Sequence, residues 1–345
     1  MCNIAGYTGF RQAAPLLIDM MKREEGFWGG HYTGIATIDQ GALYCAKVVG
    51  DVETLLRQTD AMNFPGTTGI IHSRPASGGD REWAYPFVSE DHQLAFAENG
   101  DIGQFEGSPN FAALAMDLMA RGHRLASATK TPINGYPQLE DGSSFHYSEV
   151  QCLLLQEILQ EGFEPLEAME TLLRRHPCED VCVALHSHHP DRLFIGRVNQ
   201  PMMLARGVGE AFIATTALAF PPSCAPFGID SLPANACMEL APETLRMRNG
   251  IRPDLQVAPV TPSLLLKAIH TAWTLLETAS APLPFSAFAK ACGTCFPQGP
   301  LPQMPLLGYL ALEALLDDGK VRLIHERKDG TESGLTAPVT LIQPA

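Results

Sequence analysis

Cys2-Asn3-Ile4-Ala5-Gly6-Tyr7 opens the chain on a short apolar stretch with a nucleophilic side chain at its head. Asn3 to Tyr7 reads as a strand that begins almost at the terminus. Methionine aminopeptidases remove Met1 ahead of a small residue, and the new terminal amine then lies beside the thiol of the same residue. That residue supplies both nucleophile and base. An α-amine titrates near ~8, so part of it is neutral at neutral pH and takes the thiol proton, usually through a water. No histidine is required. A small second residue is common and means little alone, so its significance depends on the residues downstream.

Outward from that strand, the pattern predicts a helix at about 14–23, a Gly-rich turn from Gly26 to Gly30, and a hairpin around Gly34 to Gly41. Strands are expected at Thr68 to Ser73 and at Leu94 to Glu98, the second ending in the turn pair Asn99-Gly100. Helices follow at about 108–121 and 148–161, with a third ending near His176, and then four short strands at 181–187, 192–197, 202–205 and 211–215. Strands, then helices, then strands again point to an α+β sandwich rather than alternating βα units. Near Ile251 the composition shifts, and Pro253, Pro259 and Pro262 mark a linker, so two domains are expected, at 2–250 and 260–345. The second reads as three helices and a hairpin around Lys328-Asp329-Gly330, a pattern that resembles a winged-helix module. Its acidic and basic residues nearly balance, which favours docking or dimerisation over DNA binding.

With 345 residues, 46% of them hydrophobic, the chain can bury a substantial core, and its net charge of -14 argues against non-specific nucleic-acid binding. No apolar run approaches the ~20 residues of a membrane-spanning helix. No secretory leader is evident, so a cytoplasmic protein is expected. Nine scattered cysteines do not suggest a disulfide framework. Cys292-Gly293-Thr294-Cys295 is half a zinc site with no partner pair, and His186, His188 and His189 beside Pro190-Asp191 read as a solvated turn, so no metal and no cofactor are expected.

Further segments come in a telling order: Gly29-Gly30-His31-Tyr32-Thr33-Gly34-Ile35-Ala36, Gly69-Ile70-Ile71-His72-Ser73-Arg74-Pro75-Ala76-Ser77, Trp83-Ala84-Tyr85-Pro86, Phe96-Ala97-Glu98-Asn99-Gly100-Asp101-Ile102 and Phe212-Ile213-Ala214-Thr215-Thr216. Together with the first seven residues, they make about residues 2–220 resemble the class II glutamine amidotransferases. The resemblance implies an αββα sandwich of the N-terminal-nucleophile (Ntn) hydrolase type. It also implies that Cys2 attacks the glutamine side-chain amide, that Asn99 and Gly100 donate hydrogen bonds to the oxyanion, and that Arg74 grips the substrate α-carboxylate with Ser77 near it.

The chain departs from the family where an Asp normally precedes Thr-Glu and binds the substrate α-amine. Here the text reads Phe145-His146-Tyr147-Ser148-Glu149, so Tyr147 holds that position without a charge. Asp101, acidic as in the asparagine synthetase branch, is the first substitute, and Asp141 a weaker one. Pro75 and Gly78 replace the usual Trp and His of the arginine loop. No phosphosugar-isomerase or phosphoribosyltransferase domain is evident, so a small-molecule amide substrate and a separate acceptor subunit for ammonia are the expected partners. Two other readings stay open: an amidase or acylase for a different amide, and a non-catalytic sensor on the same fold.

Overall fold

The computed structural model describes residues 1–101, 108–329 and 335–345, with the side chains of 101 and 225–227 outside the described set. Two antiparallel sheets stack face to face. The first is formed by β1 (Asn3–Thr8), β2 (Tyr32–Asp39), β3 (Ala42–Val49), β4 (Thr68–Arg74), β9 (Met203–Gly207), β10 (Glu210–Ala214) and β11 (Ile229–Ser231), in the order β11-β9-β10-β1-β4-β2-β3. The second contains β5 (Phe87–Val88), β6 (Leu94–Asp101), β7 (Glu179–His186), β8 (Leu193–Arg197), β12 (Ala236–Leu240) and β13 (Leu245–Asn249), ordered β13-β12-β8-β7-β6-β5.

The period of two along β1 explains why every one of its residues is buried. Ile4 joins Ile70 and Ile213 in a core with Phe96, Val183 and Ile195 of the facing sheet. Ala5 and Tyr7 point the other way, into a second core with Leu17, Met20 and Met21 of α1 (Ala13–Trp28). On the far side, α4 (Tyr147–Gln160) and α5 (Pro165–Arg175) cover the second sheet through Leu155, Ile158, Met169 and Leu172. The layers therefore run helix, sheet, sheet, helix, with short α2 (Val52–Gln58) and α3 (Phe111–Ala120) at the margins.

The structure corrects the sequence reading at two places. Helix α1 runs to Trp28 and takes in Gly26, because Phe27 and Trp28 are held in a third core with Phe285, Tyr309 and Leu312. Asn99-Gly100 is not a turn: β6 continues through both residues, since β7 supplies partners as far as Asp101 opposite Glu179.

The rest of the chain holds α6 (Pro262–Thr278), β14 (Leu283–Pro284), α7 (Phe285–Gly293), α8 (Met304–Asp317), β15 (Val321–Asp329) and β16 (Thr336–Pro344), with its sheet ordered β14-β16-β15. Gly330 of the expected hairpin turn lies outside the described residues. This segment is tied to the sandwich by buried Arg197, whose Nη2 donates to Gln303 Oε1 at 2.6 Å, and by Arg327 on Asp51 at 2.6 Å. No helix among the described residues is long and apolar enough to cross a membrane.

Burial pushes the carboxyls of Glu25 and Asp180 up to about 8 and that of Glu313 up to about 7. The folded chain therefore keeps protons that the unfolded chain has released, and stability falls as pH rises toward 8. Buried His72 and His146 are held well below their ordinary value by burial, so folding disfavours the acid side below about pH 6.5. Above about pH 6.5, where the histidines are neutral in both states, calorimetric melts should show the midpoint declining toward pH 8, and Glu313→Gln should make that decline shallower. A midpoint that rises steadily through this window would contradict the sign.

Candidate active site

β1 starts in the middle of its sheet, and the pairing of Asn3 with Ser73 sets Cys2 beside the end of β4, where Arg74 stands. From the facing sheet, β6 brings Glu98, Asn99 and Gly100 to the same place. The first turn of α4, with His146 at its N-cap, brings Tyr147. Met1, Cys2, Arg74, Pro75, Ser77, Tyr85, Glu98, Gly100, Tyr136, His146 and Tyr147 line one cavity of about 210 Å³. That is room for about seven liquid waters, the scale of a single amino acid. A larger open depression of about 540 Å³ under His186, His188 and His189 contains none of these groups.

The Cys2 backbone nitrogen donates to Asn99 Oδ1 at 2.7 Å. Asn99 is fully buried, and its Nδ2 has no hydrogen-bond partner among the described residues. A buried amide donor left unmatched costs free energy, so its retention beside a thiol is the mark of a site waiting for an acceptor. Burial pushes the Cys2 thiol up to about 11, against the pull of the terminal ammonium and Arg74. The thiol is therefore stored with its proton, and attack requires a base at hand. Gly100 is a glycine for lack of room: a Cβ there would lie 2.3 Å from the Glu179 carbonyl oxygen across the strand.

Arg74 is 1% exposed, donates to the Trp83 carbonyl at 2.7 Å and to the Tyr136 hydroxyl at 3.2 Å, and has the Tyr32 ring centroid 4.5 Å away. It has no acidic partner among the described residues. A buried guanidinium on a cavity wall has the fork geometry that can grip a carboxylate through two bonds. Ser77 Oγ accepts from the Tyr136 hydroxyl at 3.2 Å. The Tyr147 hydroxyl reaches the Gly100 carbonyl at 3.4 Å, and burial holds its proton on well above the ordinary range. The Asp101 side chain lies outside the described residues. Asp141 is corrected: it is exposed, accepts from the Ser143 backbone N–H at 2.9 Å within its own turn, and has no place in the cavity.

Four further groups have no role assigned from the sequence: Glu98, Tyr85 and His72, which lie within its family-like segments, and Tyr136, which does not. Glu98 Oε2 accepts from the Tyr85 hydroxyl at 2.8 Å and from Ser148 Oγ at 2.7 Å. His72 Nε2 lies 2.9 Å from the Glu98 carbonyl, and its ring centroid is 4.0 Å from that of Tyr85. Tyr136 bridges Arg74 and Ser77. The available signal was Glu98 itself, an acid closing the apolar run Leu94-Ala95-Phe96-Ala97.

Two stacked sheets between helices, with a cysteine at the head of a central strand and an amide donor waiting beside it, define the Ntn class. No protein-family model matches the chain. Glutamine--fructose-6-phosphate aminotransferase [isomerizing] of Pyrococcus horikoshii is 30% identical over 222 residues, 64% of this chain and 33% of that protein. The Streptomyces coelicolor protein of the same name is 31% identical over 223 residues, 64% and 32% of the two chains. Among solved structures, glutamine phosphoribosylpyrophosphate amidotransferase from B. subtilis shares the fold, with a TM-score of 0.60, 14% identity, and coverage of 81% of this chain and 59% of that one. Over the matched residues the chain is thus similar to these aminotransferases, and it shares the fold of the amidotransferase. It spans about a third of the length of the curated relatives it matches.

Proposed function

We propose that the protein hydrolyses the side-chain amide of glutamine through a thioester on Cys2 and releases ammonia for an acceptor. Removal of Met1 frees the Cys2 amine, which takes the thiol proton as sulfur bonds to the amide carbon. The tetrahedral oxyanion is received by Asn99 Nδ2 and the Gly100 backbone N–H. The C–N bond then breaks, the amine returns the proton to the leaving nitrogen, and water resolves the thioester to glutamate and free thiol. Arg74, with Ser77 beside it, holds the substrate carboxylate, while Tyr147 borders the amine side.

The observation that carries this reading is the pairing of Cys2 nitrogen with Asn99 Oδ1 at 2.7 Å while Asn99 Nδ2 stays buried and unmatched. None of the nine cysteines is paired, which fits a reducing compartment such as the cytoplasm. We read 2–250 as the catalytic domain and 260–345 as a winged-helix-like docking module for the acceptor, on the helix–strand–helix–helix–strand–strand order and the sheet order β14-β16-β15. The test is ammonia release from L-glutamine by the full chain, with intact mass on the same sample. Loss of Met1 with release of one ammonia per glutamate is the expected result. A processed, folded chain inert toward glutamine points instead to another amide.

A further inference from the structure

We infer that Glu98 receives the ammonium group of the substrate and makes the protein selective for amides that carry a free α-amine. The inference rests on the proposed glutamine hydrolysis and names the residue that reads the end of the substrate opposite Arg74.

Glu98 is 1% exposed and lines the cavity with Cys2 and Arg74. Only one of its oxygens is satisfied. Oε2 accepts from Tyr85 and Ser148, whereas Oε1 is buried with no hydrogen-bond partner among the described residues. A carboxylate half-satisfied in a dry cavity, with no lysine, arginine or histidine paired to it among the described residues, is stabilised by an entering cation.

The site already tolerates such a cation. Burial holds the Glu98 carboxyl above its ordinary value, against the lowering by hydrogen bonds from Ser148, Tyr85 and Tyr147 and by the chain's own terminal ammonium, so a cation entering beside it favours the charged form. That ammonium belongs to Met1 on the cavity wall, and when Met1 is removed the terminal amine passes to Cys2. The nitrogen of Cys2 keeps its own acceptor in Asn99 Oδ1, so Glu98 is left to the ligand. Tyr147, at the position where the family resemblance calls for an acid, brings a hydroxyl and no charge. Arg74 and Glu98 together present one positive and one negative group to the same small cavity, the complement of a zwitterionic amino acid.

The experiment compares ammonia release from L-glutamine and from glutaramate, the same molecule without its α-amine, by wild type, Glu98→Gln and Glu98→Asp. Truncating one partner of a buried charge pair supports an effect of about 100-fold. Wild type should show a KM for glutaramate about 100-fold above that for glutamine. Glu98→Gln should raise the glutamine KM by a similar factor and the glutaramate KM far less, so that the preference between the two amides collapses, and Glu98→Asp should recover part of it.

Equal KM values for the two amides in wild type overturn the inference. So does a Glu98→Gln variant that loses both substrates alike with a shifted kcat pH profile, which would assign Glu98 to the Cys2 amine. If wild type hydrolyses neither amide, the proposed reaction fails, and calorimetric binding of L-glutamate against glutarate to the wild-type chain decides the recognition separately. A preference of about 100-fold for glutamate sustains it, and equal affinity overturns it.

Discussion

Replacing Cys2 by alanine abolishes ammonia release from glutamine, with a fall in kcat of at least about 10⁴-fold. The size follows from the chemistry, because without sulfur there is no thioester and the donors around the cavity have no tetrahedral intermediate to receive. Alanine is also small, so Met1 is removed from the variant as from wild type, and intact mass shows the same processing in both. A diazoketone analogue of glutamine then adds once to wild type and not at all to Cys2→Ala. Activity that survives would have to come from another cysteine. Seven of the remaining eight are buried, and Cys45, the exposed one, is outside the cavity. Such a result would remove the N-terminal nucleophile from the mechanism altogether.

How far the sequence could lead is seen best at three positions. The first strand is legible as an unbroken apolar run, Ile4-Ala5-Gly6-Tyr7, and the structure buries both of its faces, Ile4 in one core and Ala5 and Tyr7 in the other. The end of α1 was not legible. Arg23-Glu24-Glu25-Gly26 looks like a polar helix end, yet Glu24 and Glu25 are buried, and the helix is prolonged by Phe27 packing on Phe285 and Tyr309 with ring centroids 5.3 and 5.7 Å apart, contacts more than 250 residues away in the chain. At Asn99-Gly100 the local preference for a turn loses to strand pairing with β7, a contact about 80 residues distant.

The site divides along the same line. Cys2, Arg74, Ser77, Gly100 and Tyr147, picked out by residue type and motif order, all line one cavity. Glu98 stands inside the segment Phe96 to Ile102, but a single acid at the end of an apolar strand has no meaning until its neighbours are known. What gives it one is Tyr85 and Ser148 arriving from a loop and a helix to satisfy a single oxygen.

Asn99→Ala is expected to lower kcat by about 10²–10³-fold, the usual effect of losing one oxyanion donor and equivalent to roughly 3–4 kcal/mol of barrier. The KM for glutamine should change little, because Asn99 lies outside the wall that Arg74 and Ser77 form. Stability should move by only about 1 kcal/mol. The variant loses the acceptor for the Cys2 nitrogen, but it also relieves a buried N–H that has no partner in the resting protein. Catalytic and structural roles thus predict different patterns. Asn99→Asp sharpens the contrast, since it keeps the shape and the acceptor for Cys2 while turning the donor edge into a second acceptor. Ammonia release should then fall as far as in the alanine variant. If Asn99→Asp instead keeps wild-type kcat, the side-chain amide does not serve the oxyanion, and Asn99 acts only by positioning the Cys2 amine.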